Sequence, residues 1–500
     1  MNAVEAGTSA EMKKLFYKWS KQQRRRKMKR LLALALAGAT AVSLCACGGS
    51  ASTSTVASTA ASAAASAAAS TAASTAASTA ASTAASAAAS TAAGDGSDEL
   101  TVWCWDPAFN IYAMQEAEKV YQKTDPNFKL NIVETPWEDI QTALTTAGTS
   151  GDYSTLPDIF LCQDNAFQKN VQNYPDMFTD LTNSGVDYSQ FGASKVAYST
   201  VGGKNYGVPF DSGCVIGCYR TDVLQQAGYT IDDFKDITWS RYIEIGKDIL
   251  AKTGMPLLSA RADETDPIMY MLQSAGASLF DEKGNPTIDG NETLKTVMST
   301  YKELIDSGIL LQVNSWDEYI GTLTNGQVAG TVNGCWILAS IQTAKDQSGK
   351  WDITDMPKLD NVANATNYSN NGGSSWAVST NSKNAELAEK FLAATFAGST
   401  DFYATILPSS GAIATYIPAA KSDIYNEPQE FFGGDKIFSK IVDYSAKIPS
   451  NNTGVYYYEA RSAIATANTN ILNGADIDSE LKTAQETVEF AMQGSGTSTQ

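Results

Sequence analysis

The 500-residue sequence contains no histidine. That absence removes Ser-His and Cys-His nucleophile pairs and every histidine-containing zinc site. Carboxylate-only chemistry, of the kind glycosidases use, is the enzymatic route left open. Basic residues are scarce too: 36 Lys and Arg stand against 54 Asp and Glu, a formal net charge of -18. The first 47 residues carry +8, so the remainder carries -26. So acidic a body repels nucleic acid, which is excluded as a partner. Long apolar runs are absent except for one uncharged stretch, Leu31 to Leu44, too short for a stable membrane span. Paired cysteines are also missing. Beyond Cys45 and Cys47 there are five, Cys104, Cys162, Cys214, Cys218 and Cys335, an odd number without metal-ligand spacing. On one strand, Cys214 and Cys218 stand about 13 Å apart, too far to bond. Buried free thiols are expected, with no metal and no cofactor.

What is present begins with a basic stretch, Met28-Lys29-Arg30, ahead of the apolar run. This is the pattern of a signal peptide, with Met28 the expected start of a compact one. Leu44-Cys45-Ala46-Cys47-Gly48 resembles the bacterial lipobox and nominates Cys47 for lipidation, after removal of residues 1–46. Two acyl chains on one cysteine supply enough buried methylene for stable anchoring. Residues 47–97 read as a tether, because from Ser58 to Ser90 serine recurs every fourth residue among alanine and threonine. Nothing there is large enough to form a core. The expected location is the outer face of the cytoplasmic membrane, of Gram-positive type.

The roughly 400 residues that follow are enough for two cores rather than one. Strand patterns at 100–105, 129–134 and 156–162 alternate with helix patterns at 113–122, 137–146 and 165–172. Alternation of this kind predicts β-α-β units and an α/β sheet. Ligands of such sheets bind beyond the carboxyl ends of the strands, which points to Trp105-Asp106 and to Gln163-Asp164-Asn165.

Several further pieces recur in order: Gly203-Lys204-Asn205-Tyr206-Gly207-Val208-Pro209, Tyr219-Arg220-Thr221-Asp222, Asn333-Gly334-Cys335-Trp336 and Gly372-Gly373-Ser374-Ser375-Trp376. With the opening strand and Leu156-Pro157-Asp158-Ile159, this order resembles the family-1 extracellular solute-binding proteins of ABC transporters, the maltose-binding-protein-like carbohydrate type. The resemblance implies two α/β lobes joined by crossing strands, with a ligand cleft between them. It places crossings near Tyr206 to Asp211 and near Ile353 to Pro357. One lobe would combine 98–207 with 358–410, the other 208–357 with 411–495. It also implies a monomer that is not an enzyme and that hands a sugar to a membrane permease.

A sugar needs carboxylates or amides for its hydroxyls and aromatic faces for its C–H patches. Trp105, Trp336 and Trp376 follow or enter predicted cleft-facing strand ends, and Trp336 matches a ligand-stacking tryptophan of the family pattern. Asp106 and Asp164 match family positions of polar ligand contacts, and Asp211 follows the first crossing. Packing in a core is the other use of such tryptophans, and helix capping that of such aspartates. Pro107 and Asn165 stand where maltose-binding proteins often place a basic residue. Tyr456-Tyr457-Tyr458 and Arg461 form a further polar-aromatic group, one tyrosine of which suits the cleft edge. Two other functions fit the composition: binding of a polyamine, peptide or metal, and a secreted carboxylate glycosidase.

Overall fold

The computed structural model describes residues 98–449 and 453–494. The expected signal peptide, the lipidation site Cys47 and the tether lie outside these residues.

The first lobe is built on β1 (Glu99–Cys104), β2 (Lys129–Glu134) and β3 (Ile159–Gln163). β1 lies between the other two and pairs parallel with both. Helices Asn110–Tyr121 and Trp137–Ser150 connect them. Parallel strands share one carboxyl edge, so Trp105, the Thr135–Trp137 turn and Gln163 come to the same rim. A short hairpin follows, β4 (Thr200–Val201) with β5 (Lys204–Asn205), and then β6 (Val208–Pro209).

The second lobe opens with β7 (Val215–Arg220). Its strand pair β8 (Leu258–Arg261) and β9 (Leu310–Val313) is parallel. β10 (Gly330–Gly334) and β11 (Trp351–Thr354) flank β7 and run antiparallel to it. Helix Trp239–Thr253 shows how local signals set these elements. Thr238 caps its first turn by accepting from the Arg241 N–H, and Gly254 in the left-handed conformation closes it. Between them Trp239, Tyr242, Ile243, Gly246 and Ile249 form one buried stripe. The chain then returns to the first sheet as β12 (Ser374–Val378), antiparallel between β3 and β6. Reversed direction brings its first residue, Ser374, opposite Gln163 on the cleft rim.

The crossings differ from the expected lobe boundaries. β6 still belongs to the first sheet, so the first crossing is Phe210 to Cys214 rather than Tyr206 to Asp211. The second lies near Asn370 to Gly373 rather than at 353–357. Residues 358–369 stay on the second lobe, where Lys358 bridges Thr238, the Asn367 amide donates to Ile237 and Met356, and Val215 N–H donates to Ser369. A third passage follows helix Thr400–Ser410. Ala412, Ala414 and Ala419 pack in the first-lobe core while Leu407 and Ile413 already reach that of the second, which the chain rejoins from Tyr425. These boundaries escaped the sequence because irregular segments are held by long-range backbone pairing and not by local pattern.

The first two crossings touch. Asn371 N–H donates to the Gly213 carbonyl at 2.7 Å, and a Cβ on Gly213 would stand 2.1 Å from the Asn371 oxygen. Only glycine permits that approach.

All five cysteines of the described residues are buried and free. Burial pushes each thiol up, Cys214 to about 12, which suppresses the reactive thiolate. In the native protein these five are expected to resist maleimide and to label fully in denaturant. Labelling of any of them in the folded state, found by peptide mapping, would contradict this packing.

Candidate functional site

Two groups of side chains face each other across the cleft. On the first-lobe rim Trp105 is half-buried, with its ring 5.6 Å from that of Trp137. On the second lobe, helix Tyr457–Leu472 presents Tyr458. Its ring lies 6.1 Å from Trp137, and its hydroxyl donates to Gln163 Oε1 at 2.5 Å. Beside it Glu459 pairs with Lys169 of the first lobe, and Arg261 reaches Glu138 at 3.5 Å. One short segment and one strand end therefore bridge the cleft.

Closer to the crossings stands Trp336, half-buried, its ring 5.8 Å from Trp316. Its indole N–H donates to the Asn371 carbonyl at 2.8 Å. The Asn371 amide donates to Asp266 (2.9 Å) and to Asn333 (2.8 Å). Asp266 in turn pairs with Arg461, whose Nε also donates to Thr265 Oγ1 at 3.0 Å. The result is a continuous rail of amides, carboxylate and guanidinium, each held in a fixed direction by its neighbour. Glu264 lies alongside. Burial first, then the Asp266 charge, push its carboxyl well above the ordinary range, against the pull of Arg261 and Arg461.

The carboxylates expected to bind ligand are engaged elsewhere. Asp106 turns back on its own chain, accepting from Ala108 N–H (2.9 Å) and Phe109 N–H (3.0 Å). Asp164 pairs with Lys195 of the short helix Ala193–Tyr198 and accepts from Ser375 Oγ at 3.0 Å. Asp211 accepts from Ser374 N–H at 2.9 Å and from its hydroxyl at 2.5 Å. Lys195 also donates to the Ser374 carbonyl at 2.8 Å. Asp164, Asp211 and Lys195 thus join both crossings to the first lobe beneath the cleft floor. Gly373 completes the fit: at φ +101, a Cβ there would stand 2.6 Å from Asp164 Oδ2.

Trp376 is likewise corrected. It lies mid-strand in β12 and is wholly buried, its ring 5.2 Å from Phe396 and 5.6 Å from Phe210. It belongs to the first-lobe core, because β12 enters the sheet at Ser374 and its third residue is already inside. The structure thus leaves Trp105 and Trp336 half-buried, one on each lobe, and buries Asp106, Asp164, Asp211 and Trp376. Trp137 was legible as a strand-end residue, since it opens the helix just after β2. Asn371, Asp266 and Lys195 carry no local signal.

At the crossing, between Asn165 and Tyr198 of one lobe and Met269 and Tyr457 of the other, the remaining space is about 20 Å³. That holds a water and not a sugar ring. Entry of a solute therefore requires the lobes to part.

The family model for "Bacterial extracellular solute-binding protein" matches residues 116–431. The lactose-binding protein of Rhizobium radiobacter is 38% identical over 388 residues, covering 78% of this chain and 92% of the relative. An arabinooligosaccharide-binding protein of Halalkalibacterium halodurans is 24% identical over 423 residues, 80% of this chain and 91% of its own. Among solved structures, the ABC transporter associated binding protein of B. animalis subsp. lactis, in complex with β-1,6-galactobiose, superposes with a TM-score of 0.69 at 20% identity. It covers 80% of this chain and 98% of its own. The galacto-N-biose/lacto-N-biose I-binding protein of Bifidobacterium longum gives a TM-score of 0.64 at 20% identity, with 81% and 98% covered. With its two lobes, crossing strands and facing rims, the chain belongs to the bacterial extracellular solute-binding proteins.

Proposed function

We propose that this protein captures a short neutral saccharide, a disaccharide of the lactose kind foremost, and delivers it to an ABC permease. The observation that carries the reading is the pairing of aromatic rings on both cleft walls with the Arg461–Asp266–Asn371–Asn333 rail. Rings cover the C–H faces of a pyranose while the rail meets its hydroxyls. The lactose-binding relative, aligned along 78% of this chain, supports the same solute class.

The protein acts as a monomeric binder and not as an enzyme. Asp266, the carboxylate of the rail, is committed to Arg461 and Asn371, which suits holding a ligand rather than acting on it. Outside the cell, Cys47 would tether it to the membrane, so that the closed form meets the permease at short range. Titration calorimetry of the full chain with lactose, galactobiose, maltose and arabinobiose tests the reading. Saturable binding of at least one without turnover is expected. Heat from none of them, or release of monosaccharide, would overturn it.

A further inference from the structure

A second concavity, of about 440 Å³, lies wholly on the second lobe and shares no lining residue with the space at the crossing. Its volume falls in the range of small-molecule sites. One wall is Asp355, just past β11 and only 1% exposed, with one carboxylate oxygen accepting the Asp236 N–H at 3.0 Å. Burial first, and then the neighbouring Asp236 side chain, push the Asp355 carboxyl up to about 6. Asp443, on helix Ile437–Ser445, lines another wall. Of the lysines at the site, Lys440 is held by Asp435 and, at 3.6 Å, by Asp352, neither of which lines the concavity. Its own carboxylates are therefore in excess.

An ammonium group already marks the other half of the site. Lys447 Nζ sits 4.7 Å from the centre of the Tyr368 ring and 6.0 Å from that of Tyr444, and donates to the Tyr368 hydroxyl at 3.1 Å. The two rings are 5.6 Å apart and inclined at 41°. Such a cradle attracts organic cations and covers methylene groups. No group of three or more Cys, Asp or Glu among the described residues is arranged to hold a metal ion.

We propose that this concavity is a binding site for a short aliphatic diamine. One ammonium meets the Asp236–Asp355 pair, and the chain and second ammonium lie along the Tyr368–Tyr444 cradle in place of Lys447. Lys447 is then a tethered competitor. The site is independent of the saccharide reading.

The test is titration of the full chain with 1,4-diaminobutane, with butane-1,4-diol as neutral isostere, followed by calorimetry or ligand-observed NMR. Saturable binding of the diamine and not of the diol is expected. Asp355→Asn should weaken it about tenfold, the effect of losing one charged contact. Asp443→Asn, on an exposed helix face, serves if that variant misfolds. Lys447→Ala should tighten binding more than Lys235→Ala, which removes the same charge from outside the cradle. The proposal fails if neither the wild type nor Lys447→Ala saturates, if the diol binds equally, if the two lysine variants shift alike, or if both aspartate variants bind unchanged.

Discussion

Replacing Lys195 by methionine is expected to cost the fold about 3–5 kcal/mol at neutral pH, the range for removing one partner of a buried ion pair. The Lys195 side chain is 12% exposed and that of Asp164 5%, so solvent cannot replace the lost ammonium. Burial, with the Asp211 charge adding to it, pushes the Asp164 carboxyl up to about 6 even with Lys195 beside it, and burial pushes Asp211 up as well. The sign of the pH dependence follows. A carboxyl raised in the folded state takes up its proton before the unfolded chain does, so stability falls as pH rises from about 4 through about 6. Without Lys195 the carboxyl rises further and that slope extends to higher pH. Urea melts at pH 5 and pH 7.5 should therefore show the larger loss at pH 7.5. An equal loss at both would mean that Lys195 contributes packing rather than charge. Because Lys195 and Asp211 both hold Ser374, the variant should also loosen the crossings, seen as a broader compact-to-extended distribution in solution scattering.

The second large effect separates two tryptophans that look alike in sequence. Trp376→Ala empties a wholly buried site against Phe210 and Phe396 and should cost about 3–5 kcal/mol of stability. Saccharide affinity of the molecules that remain folded should be unchanged. Trp336→Ala acts in reverse. Its ring is half-buried at the cleft beside the rail, so stability should fall little while affinity drops by about 2 kcal/mol, roughly thirtyfold. Calorimetry and urea melts on both variants decide the matter. Retained affinity in Trp336→Ala with lost affinity in Trp137→Ala would move the sugar from the crossing to the mouth, against Tyr458.

Much of the architecture was readable before any coordinates. The first three strands and helices lie within a few residues of their patterns, because alternation, caps and Gly or Pro breaks act over neighbouring positions. The rim residues Trp105 and Gln163 followed from the rule for parallel sheets. The aspartates did not: their chemistry was right for sugar hydroxyls, yet each found a partner inside the protein. Asp106 is satisfied locally by two N–H groups of the turn ahead of the helix, without capping the helix itself. Asp164 and Asp211 are satisfied by Lys195, Ser374 and Ser375.

By itself, then, the sequence determined the class of fold, the family and the rims from which a cleft is made, since these depend on periodicity and on ordered short segments. Tertiary structure decided which polar groups remain for a ligand. Lys195 meets Asp164 across 31 positions and Ser374 across 179, and Tyr458 meets Gln163 across 295. No local pattern encodes such contacts. A carboxylate taken out of water must be paired wherever the fold can supply the cation, and only the packed chain shows where that is.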